Sequence, residues 1–364
     1  MSIKKALIYL FAFLPLLLFS QEKSIVIKDT LDRKVTINGE VQRVIALGTS
    51  LSFITYLNAM DKVIAVESIE QMDFDKRTYT YVNKNILKRL PVVAQGGSVL
   101  QLNYETILNL KPDVIFLISQ NKKEADEISN KLNVPVVVLD YGKDGVNFNT
   151  TNKSLSIAGK VLKKEQRAKE LIDYINKLRT SLKKPSLKKQ SYIGALAYKG
   201  LQGIDSTQAD FMPFELANVT NAVSKIKKKG HLFINDEFLL MSNPSNMFID
   251  SACFTIVQEK FKKKPAYYNR LKAFNKSQVY LLLANNYYYT NFDQMLANSF
   301  FIAKTLYPKE YKNLNPIKKA NEIFEMFVGK PLYSTIKNGL HGFNKVIIKN
   351  NQLELKEIRV EDYK

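Results

Sequence analysis

Between Thr151 and Lys184 the chain reads TNKSLSIAGKVLKKEQRAKELIDYINKLRTSLKK. Leu155, Ala158, Val161, Leu162, Ala168, Leu171, Ile172, Ile175, Leu178 and Leu182 recur there at three- and four-residue steps, with Lys, Glu, Gln and Arg between them. That spacing predicts one amphipathic helix over residues 151–184, interrupted only by Gly159. At 1.5 Å per residue it would run for roughly 50 Å, more than a crossover helix inside one small α/β domain needs. Strand-and-helix patterns of similar size flank it. The expectation is a rigid strut between two α/β lobes, residues 24–150 and 190–364; the competing reading is a long helix lying on one large domain.

With 364 residues, 46% of them hydrophobic and 24% charged, the chain can bury two cores, and a disordered chain is excluded. Residues 1–20, MSIKKALIYLFAFLPLLLFS, pair Lys4 and Lys5 with an apolar run over 6–19. The run is short for a membrane span and fits the core of a signal peptide, cleaved near Ser20. A retained signal anchor is the alternative, against which Pro15 argues. Cys253 is the single cysteine, so no disulfide forms within the chain and none stands after the apolar run to carry a lipid anchor. These features predict a soluble protein of a Gram-negative periplasm. Net charge is +20, falling by two to +18 when Lys4 and Lys5 leave with the signal. The lysines are spread over predicted helix faces, and an exported protein rarely meets nucleic acid. They read as a solvated basic surface or as an attraction for acidic ligands.

Along the chain, SIVIKDTLDRKVTING alternates like a hairpin, and RVIALGTS reads as a buried strand ending in Gly48-Thr49-Ser50. Helical LSFITYLNAM and the strand in KVIAVES complete a βαβ unit. Its loop carrying Thr49 and Ser50 then lies at the carboxyl end of a parallel strand, the edge where open α/β sheets take ligands. A strand over 90–94 leads to Gln95-Gly96-Gly97, a second candidate loop. Beyond the predicted strut, a strand over 192–197 leads to Tyr198-Lys199-Gly200, GHLFIN carries His231, and VYLLLA leads to NNYYYT at 285–290. Each loop follows a predicted parallel strand, so all four are expected to face one another. The alternation of strands and helices argues α/β.

No stretch matches a nucleophile elbow, a phosphate-cradling loop, a dinucleotide fingerprint or a zinc-protease HExxH. Two histidines and one cysteine are too few for a nitrogen- or sulfur-rich metal site, so a bound metal would bring its own chelator. Tyr287, Tyr288 and Tyr289, beside Asn285 and Asn286, suit a flat or multiply oxygenated ligand; alternatively, two of the three pack under the helix at Phe292. His231 is either a cleft residue or locally hydrogen-bonded. Arg77 and Lys199 are candidates to neutralise an anionic ligand.

The blocks DTLDRKVTINGEVQRVIAL, PVVAQGGSVLQLNYETILNLKPDVIF and SYIGALAYKG, with the long helix between them, resemble the periplasmic substrate-binding proteins of iron-chelate, haem and vitamin B12 ABC importers. The resemblance covers about residues 24–348; Asn103, Glu105, Ile107, Leu110, Pro112 and Asp113 match a recurring stretch of that family. GIDSTQADFMPFELANVTNAV and GHLFIN are similar to a branch described as iron-complex binding. The resemblance implies two α/β lobes bridged by one long helix, with the ligand in the cleft between them and little closure. It implies a monomer without covalent cofactor or catalysis that captures a metal chelate, a ferric siderophore or haem, and delivers it to an inner-membrane ABC permease. A nickel or cobalt complex or a corrinoid is the alternative within transport, and an exported hydrolase the alternative outside it. The family docks through one exposed acidic residue on each lobe, for which Glu67 or Glu70 and Glu215 are candidates. Glu215 also suits the first turn of a helix through the macrodipole alone. The chain departs from the family in having no tryptophan and no anchor cysteine.

Overall fold

A computed structural model of the protein describes residues 24–97 and 100–363; the expected signal peptide, residues 1–20, lies outside them. Strands β1 (Ile25–Lys28) and β2 (Lys34–Ile37) form the antiparallel hairpin that the alternation predicts. Its turn closes on Asp29, whose carboxylate accepts the N–H groups of Leu31 and Arg33 and the Arg33 guanidinium.

Strands β3 (Val44–Leu47), β4 (Val63–Glu67), β5 (Val92–Ala94), β6 (Val114–Ile118) and β7 (Val136–Leu139) form a parallel sheet in the order β5-β4-β3-β6-β7. β3, β6 and β7 are buried at every position, as strands covered on both faces must be. The winding reverses between β3 and β6, which places a crevice at their carboxyl ends.

The second lobe holds β8 (Gln190–Gly194), β9 (Ser206–Gln208), β10 (Thr220–Asn221), β11 (His231–Phe233), β12 (Met247–Asp250), β13 (Val279–Leu282), β14 (Asn344–Lys349) and β15 (Gln352–Glu357). Its main sheet has the order β10-β8-β12-β13-β14-β15, parallel from β10 to β13 and antiparallel beyond, while β9 and β11 pair as a separate ribbon. The closing hairpin turns on Asn350 and Asn351, both at positive φ, a turn that suits the twist of its strands. The molecule is thus two α/β lobes, and one apolar cluster reaches from Val44 and Phe116 of the first sheet to Ile193 and Phe248 of the second. Among the described residues no helix is long and apolar enough to cross a membrane.

The single helix expected over 151–184 is instead two, Phe148–Leu162 and Glu165–Ser181. Lys163 takes a left-handed conformation, φ 56°, and the Lys164 N–H donates to the Gly159 carbonyl at 2.7 Å, closing the first helix. Both helices bury their apolar stripe in the same cluster, which is why the periodicity runs on through the break. Gly159 lies where they touch: a Cβ there would stand 2.7 Å from the Ala168 Cβ. Gly159→Leu should therefore cost about 1–3 kcal/mol by overpacking, read as a lower urea midpoint; an unchanged midpoint would mean the helices separate freely.

Candidate functional site

The carboxyl ends of the parallel strands in the two lobes face each other. Gly48 and Thr49 follow β3 with φ of 63° and 68°, and a Cβ on Gly48 would lie 2.8 Å from the Ile118 carbonyl oxygen, so glycine is required there. Glu67, the last residue of β4, is fully buried. Its Oε2 accepts the Gly48 N–H at 2.8 Å and, from the other lobe, the Tyr288 hydroxyl at 3.0 Å. Burial, reinforced by the neighbouring Glu70, pushes the Glu67 carboxyl up to about 7. Tyr288 also reaches the second candidate loop, since a Cβ on Gly96 would lie 3.3 Å from its hydroxyl oxygen. Toward the other end of the junction, Gln208 Nε2 donates to the Asp144 carbonyl at 3.2 Å. The loop after β13 thus meets those after β4 and β5, while the β9–β11 ribbon meets the loop after β7.

Besides Asn291 Oδ1 and Gln294 Oε1 at the start of the helix Phe292–Leu306, four buried oxygens on this junction have no hydrogen-bond partner among the described residues: Thr49 Oγ1, Glu67 Oε1, Ser251 Oγ and Asn285 Oδ1. They stand at or just beyond the ends of β3, β4, β12 and β13, two from each lobe. Buried polar atoms in native proteins are paired, so such a group marks where a polar ligand or water would be received. Asp250, at the end of β12, holds the second-lobe pair in place by accepting the N–H groups of Ala252 and Asn285. Burial raises its carboxyl to about 7.

The loop after β8 meets the ribbon as a ring stack. Tyr198 lies 3.9 Å from His231 with planes 7° apart, and Phe233 packs edge-on to His231 at 4.7 Å. Tyr198 and Phe233 remain 42% and 56% exposed. Lys199 Nζ sits 5.7 Å over the Tyr198 ring. His231 Nε2 shares a 2.7 Å hydrogen bond with the Ser206 hydroxyl, and burial lowers its pKa, so it is neutral at pH 7 and adds no charge.

Several expected site residues have other tasks. Arg77 is fully buried; it pairs with Glu70 at 2.5 Å, accompanied by the Tyr79 hydroxyl and the carbonyls of Ile69 and Met72, and so is withheld from any ligand. Glu67 and Glu70 are buried too, the first against Tyr288 and the second on Arg77, which corrects their reading as exposed docking groups. Ser50 accepts the Leu47 N–H and donates to the Phe116 carbonyl, locking the strand-to-helix turn. Tyr287 bonds to Asp73 and Lys76 of the first lobe, and Asn286 Oδ1 accepts from Asn285 Nδ2. Gln95 is exposed, its carbonyl taken by the Ser68 hydroxyl. Tyr289 stays 47% exposed beside Tyr288, and Glu215 is exposed on the helix Met212–Leu216.

The sequence reading missed Asp250 and Ser251, at the end of a strand that it did expect at MFID, and Asp293. That carboxylate, fully buried in the first turn of the helix Phe292–Leu306, accepts the hydroxyls of Thr78 and Tyr56 from the first lobe. In sequence it is indistinguishable from an ordinary acidic residue opposing a helix dipole.

Comparisons with known proteins agree with this architecture. The molybdate-binding protein MolA of Haemophilus influenzae is 24% identical over 345 residues, 85% of this chain and 92% of its own. The high-affinity heme uptake system protein IsdE of Staphylococcus aureus is 22% identical over 206 residues, 54% of this chain and 68% of its own. The structure of MolA bound to molybdate shares the fold at a TM-score of 0.68 and 19% identity, covering 84% of this chain and 98% of that one. A family described as periplasmic binding protein matches residues 71–285, from the turn before Arg77 through β5–β13 to Asn285. On that match over more than half of its length, the chain belongs to the periplasmic binding protein family.

Proposed function

We propose that the protein, exported and acting as a monomer, captures a metal chelate between its lobes and delivers it to an inner-membrane ABC permease without covalent chemistry. A ferric siderophore or haem is the ligand of this reading. The observation that carries it is the set of four unpartnered oxygens at the strand ends of the two lobes, together with the exposed ring stack on the loop after β8. Oxygens of both lobes would hold the polar edge of a chelate, and Tyr198 and Phe233 offer area to its flat part. Thr49 and Ser251 hydroxyls, both donors, also favour a second reading, a small oxyanion of the kind MolA binds.

Tyrosine fluorescence is a direct readout in a chain with 19 tyrosines and no tryptophan. Haemin or a ferric siderophore should quench it saturably, and Tyr198→Ala combined with Phe233→Ala should weaken that binding about tenfold, near 1.4 kcal/mol. Saturable binding of molybdate alone would transfer the assignment to the oxyanion; silence toward all three probes, with no small molecule in native mass spectra, would refute a cleft ligand of either kind. Glu215 remains the docking candidate. Glu215→Lys should lower ligand-stimulated ATPase of the permease and leave ligand affinity intact.

A further inference from the structure

Residues 183–189, Lys-Lys-Pro-Ser-Leu-Lys-Lys, connect the helix Glu165–Ser181 to β8. This loop is tied down at three points. The Tyr311 hydroxyl donates to the Lys183 carbonyl at 3.1 Å, Asn218 Nδ2 to the Pro185 carbonyl at 2.9 Å, and the Lys189 N–H to the Tyr307 hydroxyl oxygen at 2.9 Å. Between these ties Leu187 is 78% exposed, a large apolar side chain held out to solvent by a fixed loop. All four lysines of the loop are exposed. The contacting segment 307–313, YPKEYKN, adds exposed Lys309 and Lys312, against Glu310 as the one acidic residue of the two segments.

A lone exposed leucine is ordinary, and so is a lysine-rich loop. Their combination is not accounted for by solvation: an apolar tip held out on a face whose two segments carry six exposed lysines matches the two terms of peripheral membrane binding. The charges draw the face toward an anionic surface within a Debye length, and the leucine enters the headgroup layer.

We propose that this face docks the protein, weakly and reversibly, on the surface of an anionic lipid bilayer. β8 begins at Gln190, immediately after the loop, and the ligand junction lies at the opposite end of that strand. A protein docked in this way keeps its cleft turned to solution, so the lipid-bound form can load ligand, and delivery to a permease requires release. Six lysines and one leucine make a salt-labile contact that permits such release.

The test is co-sedimentation of the full chain with phosphatidylcholine vesicles, with and without about one third phosphatidylglycerol. Binding should appear only with phosphatidylglycerol and vanish in high salt. Leu187→Asp should lower the partition coefficient about fivefold or more, and the joint change of Lys183, Lys184, Lys188 and Lys189 to Gln about tenfold or more. The control changes Lys225, Lys227, Lys228 and Lys229 to Gln; these exposed lysines lie elsewhere, and removing the same four charges there should alter binding less than about twofold. Equal loss in the control would show net charge alone at work, and would overturn the proposal. So would binding that survives Leu187→Asp, or no preference for phosphatidylglycerol. All variants change exposed residues, and unaltered thermal unfolding verifies that each is folded.

Discussion

Replacing Arg77 by alanine should destabilise the protein by about 3–5 kcal/mol, the cost of leaving a buried partner charge uncompensated. Arg77 and Glu70 are both fully buried, so the carboxylate that loses its guanidinium has little access to solvent in exchange. Burial already pushes the Glu70 carboxyl above its ordinary value despite the arginine, which holds it down. Without the arginine, Glu70 must either stay charged in an apolar place or take a proton. The loss should accordingly be smaller at pH 5 than at pH 8, because a protonated Glu70 carries no unpaired charge. Arg77 also ties the carbonyls of Ile69 and Met72, so the turn that follows Glu67 loosens with it. The double variant Arg77→Met with Glu70→Gln should recover part of the stability, as neutral replacement of both partners does. Urea unfolding at the two pH values decides the matter. A loss below about 1 kcal/mol for Arg77→Ala would mean the pair contributes no more than an exposed one.

The contrast between Arg77 and Thr49 shows what a sequence discloses. Strands buried on both faces announce themselves as short apolar runs, so β3, β6 and β7 were legible, and with them the loops at their carboxyl ends. The loops carrying Gly48, Gly96 and Tyr288, each beyond the end of a parallel strand, come together around Glu67 and the Tyr288 hydroxyl. Whether a charged residue near such an edge points outward is decided by partners that the local pattern does not contain. Glu67 is claimed by Tyr288, 221 residues away, and Arg77 by the fold of its own turn onto Glu70. The broken helix is a second kind of illegibility. Lys163 adopts a left-handed conformation without the glycine or asparagine that usually signals it, and the apolar stripe passes through unchanged. The hairpin of β14 and β15 carried a readable signal, Asn350-Asn351 between alternating strands, and it was the C-terminal position in a helix-rich stretch that hid it.

Stability should be highest near about pH 4 and fall by several kcal/mol toward pH 8, the reverse of a protein held by ionised carboxylates. Three fully buried carboxyls at the lobe junction are raised: Glu67 to about 7, Asp250 to about 7 and Asp293 to about 6. Unfolded, each titrates near 4. Between these limits the folded chain holds more protons than the unfolded one, so unfolding becomes easier as pH rises, and the change is complete once the folded groups have ionised. A tenfold difference in proton affinity between the folded and unfolded chain is worth about 1.4 kcal/mol, so even half of these elevations would exceed the scatter of a denaturation curve. His231 and His341 act in the opposite sense. Burial lowers both, so stability gains as pH rises toward about 6.5, but His231 is only half-buried and His341 is exposed, and their share is smaller. Below about pH 4 the exposed pairs of Asp32 and Asp73, whose pKa values are lowered, bring ordinary acid weakening. Glu67→Gln and Asp293→Asn should each flatten the fall between pH 5 and 8. Because Glu67 and Asp293 bridge the lobes through Tyr288 and through Tyr56 and Thr78, their ionisation is felt where a ligand would sit, and a bound cation or donor at Glu67 Oε1 should restore stability at pH 8. A urea midpoint that instead rises steadily from pH 5 to 8 would show that these carboxylates are ionised in the folded protein and that the junction is wetter than its burial indicates.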